Sequence, residues 1–333
     1  MLRPFSFVPC VAVSLALVAC GGDDEASSAG TSSTSTTGAG GAGTGGTSGT
    51  GGTSGTGGAG GETAASCFEH IKIDLGYDAI KPVIGSHCKG TNHQTIDGVE
   101  KLVFLGDSIT QGTFPTGQAE FYRTVLADAL TVKFPGLEVA ECAENGAKTD
   151  DLTTQIAQCF PAAEPKRTLV VMTMGGNDVA AWAKAKLPAD QAIADAAQVA
   201  GRMRSAVEYI KDPANFPNGS FVIFADVYEY TDLTGDLDSC PAAGLAGFSG
   251  EYTDGAGALV HLEQEYMKVA VDTGTDVAFL FESFCGHGYH ADDPDSPCYL
   301  GPDSATWFDV SCIHPTPTGH AELAGLFQAV VDE

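Results

Sequence analysis

The sequence predicts an α/β domain, a parallel sheet with helices on both faces, and three observations carry that prediction. Short apolar runs rich in β-branched and aromatic residues recur along the chain. Stretches of three-and-four periodicity separate them. Polar strings follow the runs, at the strand ends where sheets of this kind gather their reactive groups.

The runs are "KLVFL" (Lys101 to Leu105), "LEVAE" (Leu137 to Glu141), "TLVVMTM" (Thr168 to Met174), "FVIFADV" (Phe221 to Val227) and "DVAFLFE" (Asp276 to Glu282). Their near-continuous hydrophobicity predicts strands covered on both sides. Between them, Ile193, Ala196, Ala200, Met203, Val207 and Ile210 line one helical stripe. Phe121, Tyr122, Val125, Leu126, Ala129 and Leu130 line another, and Leu323, Leu326, Phe327 and Val330 form a third near the C-terminus. Upstream, Cys67 to Glu100 carries no chemical motif, although "IKIDLGYDAI" alternates weakly and predicts an extra edge strand or hairpin.

Residues 1–20, "MLRPFSFVPCVAVSLALVAC", combine an early Arg, a short apolar run and a small-residue end, which is the pattern of an export signal. Its last four residues resemble a bacterial lipobox, which implies lipid modification at Cys20 and a membrane anchor there. Residues 21–66 are nearly pure Gly, Ser, Thr and Ala and cannot bury a core, so they read as a flexible tether. That leaves 67–333 as one folded domain on a leash, expected as a monomer. Gly21 follows Cys20, without the aspartate that hints at inner-membrane retention, so the expected address is the outer membrane or cell surface.

Ten cysteines less Cys10 in the signal and Cys20 leave an even set in an exported chain, which predicts disulfides. Near neighbours are expected to pair, such as Cys142 with Cys159 and Cys67 with Cys88. No C-x-x-C pair occurs, which argues against a zinc ribbon or a thioredoxin-like site. A net charge of −27, with only 16 basic residues, gives a phosphate-tracking surface no electrostatic basis and excludes nucleic acid as a partner.

Four polar strings stand at or beyond the strand ends. Strand one leads into "GDS" with Ser108, strand two into "ENGAKTDDL" with Gly146, and strand three into "GGND" with Asn177. "SCIHPTPTGH" with His314 lies beyond strand five. A serine becomes a nucleophile when a base takes its proton, and an ester's tetrahedral intermediate needs donors for its oxyanion. Ser108 would attack, His314 would act as base, and Ser108, Gly146 and Asn177 would hold the negative oxygen. No G-x-S-x-G occurs, so the nucleophile elbow of an α/β-hydrolase is missing.

That order and those strings resemble the SGNH hydrolases, also called GDSL esterases and lipases, from about Lys101 to the C-terminus. The resemblance implies a flavodoxin-like three-layer α/β/α sandwich with a five-stranded parallel sheet. It also implies hydrolysis of carboxylic esters without metal or organic cofactor. The family usually carries Asp three residues before the histidine, where this chain has Ser311. Two alternatives stay open: Asp309 swings in to orient His314, or a main-chain carbonyl such as that of Ser311 accepts from the imidazole.

Asp107 is expected to accept backbone N–H bonds at the following helix, Asp178 to brace the oxyanion loop, and His320 to cap or pack the final helix. His287 and His290 with Asp292, Asp293 and Asp295 fit neither a zinc cage nor an EF-hand, and read instead as part of a cystine-pinned loop over Ser283 to Phe308. Apolar residues such as Phe114, Trp182 and Trp307 lean towards a lipid or aryl acyl group. The expected activity is a surface-tethered esterase acting on acetylated polysaccharide or short to medium acyl lipid. A non-catalytic lipoprotein using the same fold as a binding module is the rival.

Overall fold

A computed structural model describes residues 63–333. The export signal, Cys20 and the tether through residue 62 lie outside the described residues. Five parallel strands, β1 (Lys101–Gly106), β2 (Glu138–Glu141), β3 (Thr168–Thr173), β4 (Ser220–Ala225) and β5 (Asp276–Ala278), form one sheet in the order β2-β1-β3-β4-β5. Helices Tyr122–Lys133 and Pro317–Asp332 pack together, as do Ala189–Lys211 and Asp254–Thr273. The predicted flavodoxin-like sandwich is therefore the fold observed. The strand order reverses between β1 and β3, and in such sheets the crevice beyond the carboxyl ends at that point is where ligands bind.

Sequence periodicity placed the elements well and their edges less well. Every residue of β1, β3 and β4 is buried. β2 pairs only with β1, and its residues are mostly exposed, because "LEVAE" alternates as a half-covered edge strand does rather than running continuously apolar. β5 stops at Ala278, and Leu280–Phe284 is helical instead. The cause is local, since the Phe281 N–H donates to Asp226 Oδ1 at 2.7 Å and is lost to any ladder. On the helices, Val125 and Ile193 sit outside their buried stripes.

"IKIDLGYDAI" forms no strand. Asp74 Oδ1 accepts from the Gly76 N–H at 2.8 Å, Gly76 has φ +71°, and a 3₁₀ turn follows at Tyr77–Ala79. The free edge of β5 is covered further along, where Gly90 bridges Ala278 and the Thr91 N–H donates to the Val277 carbonyl at 3.0 Å. Among the described residues four disulfides close the chain: Cys67–Cys88, Cys142–Cys159, Cys285–Cys298 and Cys240–Cys312. The first three join near neighbours; the last spans 72 residues.

Where β4 ends, Asp226, Glu263 and Glu282 are buried together, each with one carboxyl oxygen that no donor reaches. Tyr77 donates to the other oxygen of Glu282 at 2.7 Å. Burial, with mutual repulsion, raises the carboxyls of Asp226 and Glu263 well above their ordinary values, and burial raises Glu282. A group raised by folding contributes stability that is fully present below its unfolded value and is lost as pH climbs towards the folded one. The melting temperature is accordingly expected to fall between weakly acidic and weakly alkaline pH. Glu263→Gln, which retains an acceptor for the Val227 N–H, should flatten that slope in scanning calorimetry; an unchanged slope would show that the cluster does not govern it.

Candidate active site

The turn after β1 is specified residue by residue. Gly106 has φ +139°, and a Cβ there would lie 2.4 Å from the Thr173 carbonyl oxygen and 2.7 Å from Thr110 Oγ1, so only glycine fits. Gln155 clamps its peptide from both sides, accepting from Gly106 N at 2.8 Å and donating to Gly106 O at 2.7 Å. Asp107 then caps the Ser108–Gln111 helical turn by accepting from Ile109 N at 3.0 Å. Thr173 Oγ1 donates to the same carboxylate oxygen at 3.1 Å. Behind Thr173 lie Thr110 Oγ1 at 2.7 Å and, beyond that, the Tyr122 hydroxyl at 2.6 Å from Thr110. This buried polar chain leaves Ser108 one defined position. Burial pushes Asp107 up to about 7 against the pull of the bonds from Ile109 and Thr173.

His314 arrives on a tight loop. Phe308 bridges Pro315, the Asp309 N–H donates to the His314 carbonyl at 2.8 Å, and Cys312, at φ +73°, is bonded to Cys240. The hydroxyl of Tyr228 holds the Ile313 carbonyl at 2.8 Å, and that of Tyr289 holds the Asp309 carbonyl at 3.0 Å. His314 Nε2 thereby stands 2.8 Å from Ser108 Oγ, across 206 residues of sequence.

Neither expected orienting group touches the imidazole. Nδ1 of His314 faces the side-chain hydroxyl of Ser311 at 2.8 Å, not a carboxylate and not the Ser311 carbonyl. The hydroxyl in turn donates to Asp309 Oδ1 at 2.5 Å, and the Ser311 N–H donates to the same oxygen at 2.7 Å. Asp309 is one hydroxyl too far back because the loop turns on its own Ser311 N–H, which draws the carboxylate under the backbone. Its Oδ2 is buried without a partner. A hydroxyl has one proton, and with that proton on Asp309 the Ser311 oxygen can only accept from Nδ1–H. Nε2 is then left unprotonated towards Ser108. Burial lowers the His314 imidazole below its ordinary range, partly opposed by the charge of Asp309.

Asn177 opens the Gly176–Ala185 helix beyond β3 and faces the same cavity as Ser108. Its amide Nδ2 donates to the Ala147 carbonyl at 2.9 Å, while the Asn145 N–H donates to Gln111 Oε1 at 2.9 Å. Gly146, exposed and at φ +79°, is carried between these two bonds. Asp178 accepts from Thr149 N at 3.0 Å and from Thr149 Oγ1 at 3.2 Å, tying the Asn177 helix to the Gly146 loop. His320 is buried, accepts from the Tyr122 N–H at 3.3 Å and stacks on the Tyr122 ring; burial takes it down to about 4.

The long segment after β5 is pinned by a residue that the sequence does not advertise. The buried Asp232 carboxylate accepts from Gly286 N at 2.9 Å, Gly288 N at 3.0 Å and His290 N at 2.9 Å. His287 stacks flat on Trp307, and His290 Nε2 sits 3.2 Å from Asp236. Among the described residues no group of three or more His, Cys, Asp or Glu side chains is placed to hold a metal ion. Gln155 lies within a helix, Thr173 at the end of an apolar strand, and Asp232 and Tyr228 in irregular chain after β4, so sequence reasoning had no signal by which to single them out.

A cavity of about 890 Å³, counting its open mouth, extends from Ser108 and Asn177 into the protein. One wall is the Gly176–Ala185 helix. The other is the irregular excursion between β4 and the Asp254–Thr273 helix, together with that helix's first turns.

Among solved structures the chain is similar to phospholipase A1 from Streptomyces albidoflavus, with 21% identity, 70% of this chain and 99% of that one covered, and a TM-score of 0.48. It is also similar to an acetylxylan esterase from Geobacillus stearothermophilus, with 20% identity, coverage of 72% and 97%, and a TM-score of 0.43. A third is a lipolytic G-D-S-L protein from Veillonella parvula, with 14% identity, coverage of 70% and 98%, and a TM-score of 0.45. No curated protein matches the chain. The family model described as "GDSL-like Lipase/Acylhydrolase family" matches residues 104–322, so this chain belongs to that family of carboxylic ester hydrolases.

Proposed function

We propose that the protein hydrolyses carboxylic esters through an acyl-enzyme on Ser108, while anchored to the cell envelope through Cys20. The 2.8 Å contact between Ser108 Oγ and His314 Nε2 carries this reading. In it, Nε2 takes the hydroxyl proton as Oγ attacks the ester carbonyl, then delivers that proton to the departing alcohol. Water repeats the sequence on the acyl-enzyme, releasing the acid and restoring Ser108.

The Ser108 and Gly146 N–H groups and the Asn177 amide are the oxyanion donors in this reading. For the amide, that role requires its bond to the Ala147 carbonyl to open or to be shared. The imidazolium formed at His314 is stabilised by Asp309 through the Ser311 hydroxyl, whose proton position also sets the productive tautomer. Binding without catalysis would leave this aligned set of groups without a use.

The test is hydrolysis of p-nitrophenyl acetate by the full chain as a function of pH. His314 must be neutral to act, and burial lowers its pKa, so kcat/KM should rise with pH and reach half its plateau below 6.5, the ordinary histidine value. Asp107 titrates near 7, and Asp107→Asn should leave that limb in place. Absence of hydrolysis at every pH would end the esterase reading.

The anchor follows from the lipobox-like "LVAC" and the polar tether behind it. Radiolabelled palmitate fed to the producing cells should enter the chain and should fail to enter Cys20→Ser. Equal labelling of the two would remove the anchor.

A further inference from the structure

The cavity beside Ser108 has walls whose chemistry selects a substrate class, and this inference rests on the esterase reading. Trp182, Leu237, Phe248 and Leu259 are buried in its walls. The polar groups among the walls are engaged elsewhere. Glu229 accepts from the Thr231 and Leu233 N–H groups, both at 2.5 Å. The Tyr230 hydroxyl donates to the Leu237 carbonyl at 2.9 Å, and Tyr228 is spent on Ile313. Trp182 turns its indole N–H away to Asp195 at 2.5 Å, leaving ring surface for the cavity. Among the described wall residues the Tyr252 hydroxyl is the buried side-chain group left without a partner. A sugar ring placed here would lose its water and find almost nothing to bond; a hydrocarbon chain would lose nothing.

Geometry decides which half of the ester enters. The leaving oxygen must lie within reach of His314 Nε2; Cys312 and Ile313 of the same loop line the cavity but His314 itself does not, whereas Ser108 and Asn177 do. The alcohol half therefore leaves on the histidine side. The acyl half is the part that points inward.

We propose that this cavity is an acyl-chain chamber and that the enzyme's substrates are esters of medium-chain fatty acids rather than acetyl esters. The apolar lining runs on past Ser108 to Trp182, Phe248 and Leu259, more surface than an acetyl group can cover. Each methylene moved from water into apolar surroundings is worth at most roughly a four-fold gain in kcat/KM.

The experiment measures kcat/KM of the full chain on p-nitrophenyl acetate, butyrate, hexanoate, octanoate and decanoate, with Ser108→Ala as background. A rise of about 100-fold or more from acetate to octanoate is expected, below the ceiling of roughly 4,000-fold that six methylenes set on that scale. Ala256→Phe and Ala180→Leu, which add bulk to opposite walls, should each lower the octanoate-to-acetate ratio about ten-fold or more. If acetate is turned over as efficiently as octanoate by the wild type, the chamber assignment is overturned while the esterase reading stands. If neither ester is hydrolysed above the Ser108→Ala background, both are overturned. A wild-type preference for octanoate that survives unchanged in both folded variants would overturn the placement of the chain in this cavity.

Discussion

Ser108→Ala and His314→Ala are each expected to lower kcat by roughly 10⁵- to 10⁶-fold, and the double variant is expected to lose no more than either alone. The reason is that neither side chain does its work without the other. The Ser108 hydroxyl is a poor nucleophile at neutral pH until Nε2 removes its proton, and Ser108 Oγ is the group that Nε2 faces, at 2.8 Å. What survives should be the catalysis supplied by binding and by the oxyanion donors. Steady-state assays with a chromogenic ester, beside circular dichroism to show that both variants fold, would measure this. Additive losses in the double variant would mean that the two groups act independently, and the acyl-enzyme mechanism would have to be abandoned.

The second large effect concerns the orienting side of the histidine, where the ordering of two variants discriminates between mechanisms. Asp309→Asn is expected to lower kcat by about 10²- to 10³-fold, short of the roughly 10⁴-fold that the same exchange costs a serine protease by forcing the wrong tautomer. Asparagine keeps its oxygen on the Ser311 N–H and O–H, so the tautomer is retained, but the charge that stabilises the imidazolium is gone and the N–H₂ group is buried where Oδ2 has no partner. Ser311→Ala removes the intermediary but keeps that charge, and a water able to bridge Nδ1 and Asp309 limits the loss to about 10- to 100-fold.

The more distant residue should thus matter more than the nearer one. If a main-chain carbonyl were the true acceptor, both variants would retain near-normal turnover. The pH profile supplies a further readout. Asp309 is the charge that opposes the burial-driven lowering of His314, so in Asp309→Asn the acidic limb should move to still lower pH.

Much of this architecture is legible in the amino-acid order because strand ends are where sequence and chemistry coincide. The apolar run before Gly106 fixes where the chain emerges from the sheet, and the glycine is demanded by a carbonyl only 2.4 Å from any Cβ. Ser108 follows with little freedom. His314 is legible for a similar reason, since Pro317 and the Thr316 cap, whose Oγ1 accepts from the Gly319 N–H, start the last helix just beyond it. The Ser311 hydroxyl was not legible. Its role depends on which way a six-residue loop folds back, and that is set by the Asp309 N–H to His314 carbonyl bond and by the left-handed backbone at Cys312. The chamber wall after β4 was equally hidden. Leu233 lies in a turn, Leu237 in a short 3₁₀ piece and Phe248 in irregular chain, so no sustained period marks them as facing one space.

The bond between Cys240 and Cys312 joins the excursion that forms one chamber wall to the loop that carries the imidazole. Selectivity and turnover are therefore mechanically one unit in this protein. A designer who transplants the excursion from a relative to obtain a new chain-length range would also displace the proton-transfer group. Only a graft that moves both cysteine-bearing segments together should keep the enzyme fast while changing what it prefers.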